Sequence, residues 1–147
     1  MFALNNEILE SFLEINKAIY RLVKKEADRM GITVVQLKAL YKISNNPDIG
    51  LGELAEKLRL TNSTVSGVID RLVHSGLVER VIPPENRRSV SIHLTQKGKA
   101  ILEDLMVSDS ILNQKIMGLM GLPDEEIQHL LRLHKLVLEK LTIEEEQ

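Results

Sequence analysis

Apolar side chains recur near the start of the chain at Ile8, Phe12, Ile15, Ile19 and Leu22, with Glu26/Ala27 next in the series. A spacing that alternates between four and three residues lines them up as one stripe of a long helix. Gly31 stands where that helix would end. Thr33, with Gln36 three residues on, has the form of a capping box. The helix it opens carries Val34, Leu37, Leu40, Tyr41 and Ile43 and stops at Asn45-Asn46-Pro47. A shorter helix follows with Leu51, Leu54, Ala55 and Leu58 on one face. Only Arg59 and Leu60 separate it from the next N-cap signal, Thr61-Asn62-Ser63, and Val65, Ile69 and Leu72 then form a stripe that ends at Ser75-Gly76. Two helices joined by so short a turn make a helix-turn-helix.

The period then drops from 3.6 to 2. Leu77 to Ile82 and Val90 to Leu94 read as strands, the second alternating Val90, Ile92 and Leu94 against Ser91 and His93. The PPENRRS segment between them is longer than the usual hairpin loop of ~2–5 residues, and a long polar loop commonly carries function. Thr95 caps a further helix whose apolar positions run from Ile101 and Leu105 through Ile111 or Leu112 to Ile116 and Leu119. Gly121-Leu122-Pro123-Asp124 restarts the chain into a last helix bearing Ile127, Leu130, Leu131, His134, Leu138 and Leu141. The predicted order is four helices, two strands, two helices. This is a mainly α fold with a small β-hairpin wing.

Charge refines the picture. Net charge is −2, which by itself disfavours a nucleic-acid partner, but residues 31–97 hold nine Lys/Arg against six Asp/Glu, while residues 98–147 hold five against ten. A basic middle between a neutral and an acidic flank suits a polyanion-binding module on a solubilising scaffold. Aromatic residues are 3%, too few for stacking platforms on single strands. The absence of cysteine excludes disulfides, thiolate metal sites and thiol chemistry. No apolar run reaches the ~18 residues of a membrane span, and the amphipathic start does not read as a signal peptide; a cytoplasmic location is expected.

Candidate chemistry concentrates in two places. The helix after Thr61 leaves Asn62, Ser63, Ser66, Gly67, Asp70, Arg71 and His74 outside its buried stripe. Short hydroxyl and amide side chains let a helix sink into a major groove, and free N–H groups in its first turn favour phosphate. The alternative for Thr61 and Ser63 is capping alone. Arg87 and Arg88 sit at the tip of the loop stiffened by Pro83 and Pro84, the chemistry of minor-groove insertion; the alternative is a solvated loop. His74, His93, His129 and His134 lack metal-ligand spacing, and no nucleophile–base or paired-carboxylate set stands out. No enzyme activity, cofactor or metal is expected. The flanking helices carry more apolar surface than the middle module can cover, which points to pairing with a second copy rather than to an intramolecular bundle.

The run Leu54-Ala55…Leu58-x-Leu60, TNSTVSGVIDRLVHSGLVER and PPENRRSVSIHLTQKGK closely resembles the MarR (multiple antibiotic resistance regulator) family of bacterial transcription factors. The resemblance implies a dimeric winged helix-turn-helix, with residues 31–97 as the DNA-binding domain and residues 1–30 and 98–147 as dimerisation helices. It implies a transcriptional repressor that binds a pseudo-palindromic operator in double-stranded DNA and is relieved by a small aromatic or anionic effector. Carried over by position, Ser63, Thr64 and Ser66 fall where the recognition helix meets bases, and Arg71 where it meets bases or backbone. Arg88 matches the wing arginine of the minor groove. With Thr61, Asn62 and Arg87 these are the expected DNA-binding residues. Asn86 departs from the Asp usual two residues before that arginine, and Gly67 stands where many relatives have a longer side chain. The alternative reading is a winged-helix protein-interaction module without specific DNA binding.

Overall fold

The computed structural model describes residues 2–86, 88–107 and 109–143. Among these the chain forms α1 (Phe2–Met30), α2 (Val34–Asn45), α3 (Leu51–Leu58), α4 (Asn62–His74), β1 (Val78–Val81), β2 (Ser91–Leu94), α5 (Gln96–Val107), α6 (Ile111–Leu119) and α7 (Asp124–Leu141).

The punctuation of the first half is local chemistry. Thr33 and Gln36 form a reciprocal capping box: the Gln36 N–H donates to Thr33 Oγ1 at 3.1 Å, and the Thr33 N–H donates to Gln36 Oε1 at 2.9 Å. α1, α3 and α4 end alike, with a left-handed residue and a backbone bond reaching five residues back. The pairs are Ile32 to Ala27, Leu60 to Ala55 and Leu77 to Leu72, at 3.0, 3.0 and 2.9 Å. Glycine fills the left-handed position after α1 and α4, whereas Arg59, at φ +54°, fills it in the turn between α3 and α4.

The three stripes of the helix-turn-helix converge. Leu37 and Leu40 of α2, Leu54 of α3, and Val65, Ile69 and Leu72 of α4 are buried with Ile92 of β2. Each such side chain contributes about 1.5–3 kcal/mol through burial. The core extends to Ala27 of α1 and to Leu102 and Leu105 of α5. β1 and β2 pair antiparallel with Val78 opposite Leu94 and Val81 opposite Ser91. The Ile92 N–H donates to the Ile49 carbonyl at 2.8 Å, which ties the hairpin to the α2–α3 loop.

Two expectations are corrected. The helix predicted to run on from Thr95 to Leu119 is two helices. Ser110 interrupts it with ψ 142°, and its buried hydroxyl donates to the Leu105 carbonyl at 2.9 Å and accepts the Asn113 N–H at 3.1 Å. The apolar spacing on either side of that cap is compatible with one helix, so periodicity alone conceals the break. Tyr41, placed with the apolar face of α2, is 47% exposed.

α7, like α6, contrasts with the other helices. None of its residues is buried, and Leu130, Leu131, Leu138 and Leu141 are exposed. Among the described residues no helix is long and apolar enough to cross a membrane.

Candidate nucleic-acid interface

With Val65, Ile69 and Leu72 turned into the core, α4 presents Asn62, Ser63, Thr64, Gly67, Asp70, Arg71 and His74 to solvent, with Ser66 half-buried. Thr61 is the N-cap: its Oγ1 accepts the Thr64 N–H at 3.2 Å and lies 2.9 Å from Thr64 Oγ1. Those two hydroxyls therefore satisfy each other and the helix start. Among the described residues nothing engages the polar side-chain atoms of Asn62 and Ser63 or the Arg71 guanidinium. Thr61 to Ser66 and Arg71 thus share one element.

The hairpin loop is organised by Asn86. Its N–H donates to the Pro83 carbonyl at 3.2 Å, and its own carbonyl accepts the Ser89 N–H at 3.1 Å. Its side-chain Nδ2 donates to Ser89 Oγ at 2.8 Å, and its Oδ1 accepts the Arg88 N–H at 3.1 Å. The amide fixes the turn with neutral bonds alone. Arg88 follows, exposed, and its guanidinium is unpaired among the described residues. Arg87 lies outside the described residues.

Two ties join wing to module. Arg80 of β1 forms an ion pair with Asp70 of α4, so the hairpin is fastened to the exposed face of α4. His93 Nε2 lies 2.8 Å from Ser91 Oγ and 3.1 Å from Asp48 Oδ1. No periodicity signals either contact, since polar groups on separate elements acquire meaning only after the elements meet. Among the described residues no three His, Asp or Glu side chains converge as metal ligands.

A cavity of about 440 Å³ opens beside the module, between α1, α2, α3, α5 and α6. Val23, Leu37, Tyr41, Leu58 and Leu105 supply apolar walls, while Lys38, Lys42, Lys57 and Arg59 stand round them. Among the described residues no carboxylate joins that lining. A cavity with greasy walls and only cationic charge suits an amphipathic anion.

The MarR family model matches residues 32–90, the span from the end of α1 to the start of β2. The solved structure of wild-type MarR from Escherichia coli, in its apo form, is 30% identical, covering 88% of this chain and 95% of that one with a TM-score of 0.68. The chain belongs to the MarR family. In Bacillus subtilis (strain 168) it is similar to the HTH-type transcriptional regulator YsmB, 33% identical over 68% of each chain. It is similar too to the HTH-type transcriptional repressor YetL, 30% identical over 68% of this chain and 61% of that one. The chain spans about three fifths to two thirds of the length of these curated relatives. The MarR match covers α2, α3 and α4, the elements that form and display the exposed face of α4; α5, α6 and α7 lie beyond it.

Proposed function

We propose that this MarR-family chain is a homodimeric, sequence-specific DNA-binding transcriptional regulator of the cytoplasm, a repressor that a small ligand relieves, with no catalytic role. The observation that carries the reading is the surface of α4. A helix in the recognition position of a helix-turn-helix keeps Asn62, Ser63 and Arg71 exposed, and the neighbouring wing presents Arg88, all four without a partner among the described residues. Asn62, Ser63, Thr64 and Ser66 are assigned to base edges, Arg71 to bases or backbone, and Thr61 to the phosphate-facing start of the helix. Arg88, with Arg87, is assigned to the minor groove.

Residues 31–97 are the DNA-binding unit, and residues 1–30 and 98–147 carry dimerisation. The unburied α7 supports this division, because an apolar stripe on a helix with no intramolecular cover is normally closed by a partner, and a second copy is the commonest one. The cationic cavity supports ligand relief, since it lies where the end of α1 and the start of α6 meet the back of the helix-turn-helix.

Selection from random duplexes tests the reading. Enrichment of a two-fold-related sequence with half-site centres about one helical turn, ~34–36 Å, apart is expected. A pool that never departs from its starting composition sinks it.

A further inference from the structure

Glu26 is a carboxylate held in the interior at 2% exposure, on the same face of α1 as the buried Ala27. A charge in such a place persists only where it is paired and hydrogen-bonded. Its two oxygens meet different parts of the molecule. Oε1 accepts the backbone N–H of Ile111, the first residue of α6, at 3.0 Å. Oε2 accepts from Arg29 Nε at 2.9 Å, and Arg29 Nη1 donates in turn to Asp104 Oδ2 of α5 at 2.9 Å. Glu26 and Arg29 together thus brace α1, α5 and α6 where α5 gives way to α6.

The brace has two arms of different chemistry. The Ile111 N–H is one of the amides a helix start cannot satisfy from within. Ser110 serves Asn113, so the Ile111 amide is served from α1, by a group whose negative charge also complements the helix dipole. The other arm is ionic. Hydrogen bonds to Asp104 first and Glu26 second hold the Arg29 guanidinium above its ordinary pKa, so it is charged at every working pH.

The location gives the brace its consequence. α5 belongs to the core of the helix-turn-helix through Leu102 and Leu105. α6 and α7 carry exposed apolar side chains, among them Met117, Leu119 and Leu131. Apolar contact between helices is non-directional, whereas a carboxylate that accepts directly from α6 and is linked through Arg29 to α5 fixes an angle. We infer that Glu26 is a positioning residue: it sets the angle between the dimer helices and the DNA-reading unit, and hence the half-site spacing the dimer accepts. This rests on the DNA-binding dimer proposed above.

The test uses the duplex selected from random sequence, rebuilt with its half-sites moved apart by one and by two base pairs. The wild-type dimer should discriminate sharply, because each added base pair both translates and rotates one half-site. Glu26→Ala should shrink the ratio of affinities between native and lengthened sites by roughly tenfold, the scale of one buried charged hydrogen bond, while binding to an isolated half-site is unchanged. Glu26→Gln retains an acceptor for the Ile111 N–H and should fall between the two. Arg29→Gln severs only the arm to α5 and supplies a variant should Glu26→Ala fail to fold. A spacing preference identical to wild type in a folded, dimeric variant overturns the inference, as does an equal loss of affinity at every spacing. A wild-type protein that selects no duplex would instead refute the DNA-binding reading itself.

Discussion

The backbone of Gly98, in the first turn of α5, lies so close to the Leu77 carbonyl that a Cβ on it would stand 2.1 Å from the oxygen. The same junction is stitched by Thr95. Its N–H donates to the Leu77 carbonyl at 3.1 Å, its hydroxyl donates to the Gly76 carbonyl at 2.6 Å, and its Oγ1 accepts the Gly98 N–H at 3.1 Å. The end of α4, the start of the hairpin and the start of α5 are one joint, held by Thr95 and open only to a glycine at position 98. A methyl group can enter only if backbone moves. Gly98→Ala should therefore cost at least about 2 kcal/mol of stability. Gly52→Ala is the control. It lies in α3 with open space around it and should gain roughly 0.5–1 kcal/mol from the better helix former. Thermal or urea unfolding of the two variants checks the opposite signs.

Arg59 occupies the left-handed position of the turn that joins α3 to α4, a conformation costly for any residue with a Cβ. It lines the cavity and has no ion pair among the described residues. Arg59→Gly should raise stability by about 1 kcal/mol. A variant less stable than wild type in unfolding experiments would show that the side chain holds the turn instead of straining it.

Much of this architecture is legible in the sequence because its determinants are local. The Thr33–Gln36 box, the Thr61 cap, and the glycines after α1 and α4 each act within six residues, and the Val65, Ile69, Leu72 stripe needs only helical period. What escapes is tertiary. Ser110 reads as one more polar residue in a helix until its hydroxyl is seen buried against Leu105. Glu26 shares with Ala27 the next position of the apolar stripe, and nothing local shows that it is buried where Ile111 and Arg29 reach it. The Asp70–Arg80 pair is invisible for the same reason. In the candidate interface the residue types and their helix are readable, whereas the pairing of Thr61 with Thr64, which leaves Asn62 and Ser63 as the free groups, is not.

Asn86 holds its turn with four neutral bonds, two of them from its side chain, where an Asp would bring a charge. Asn86→Ala removes the side-chain pair and frees the turn that carries Arg88. DNA affinity should fall about fivefold, the scale of ~1 kcal/mol for such bonds, with global stability unchanged. Equal affinity of the two proteins in fluorescence titrations would show that the wing orders on DNA without Asn86.

The exposed leucines of α7 have no cover among the described residues. Light scattering should give twice the 16.6 kDa chain mass at micromolar concentration. Leu131→Lys combined with Leu138→Lys should halve it, because burying two unpaired ammonium groups costs several kcal/mol. A double variant of unchanged mass would place the dimer contact elsewhere.

Helix and wing should separate by salt. Arg88 offers a full charge, while Asn62 and Ser63 offer directed hydrogen bonds without charge. A cation on a phosphate releases counterions, so Arg88→Ala should flatten the slope of log K against log salt by about 0.9 for each phosphate it no longer neutralises. It should weaken matched and scrambled duplexes by similar factors, since the minor groove and the backbone carry little sequence information. Asn62→Ala and Ser63→Ala should each cost roughly 1–3 kcal/mol on the preferred duplex and leave the salt slope and the scrambled duplex almost untouched. Thr64→Ala is a poorer probe, because its hydroxyl lies 2.9 Å from that of Thr61 and its removal also disturbs the cap. Titrations at several salt concentrations on both duplexes decide the matter. Should Arg88→Ala abolish only sequence preference while Ser63→Ala abolishes only the salt-dependent part, the roles given to wing and helix are reversed.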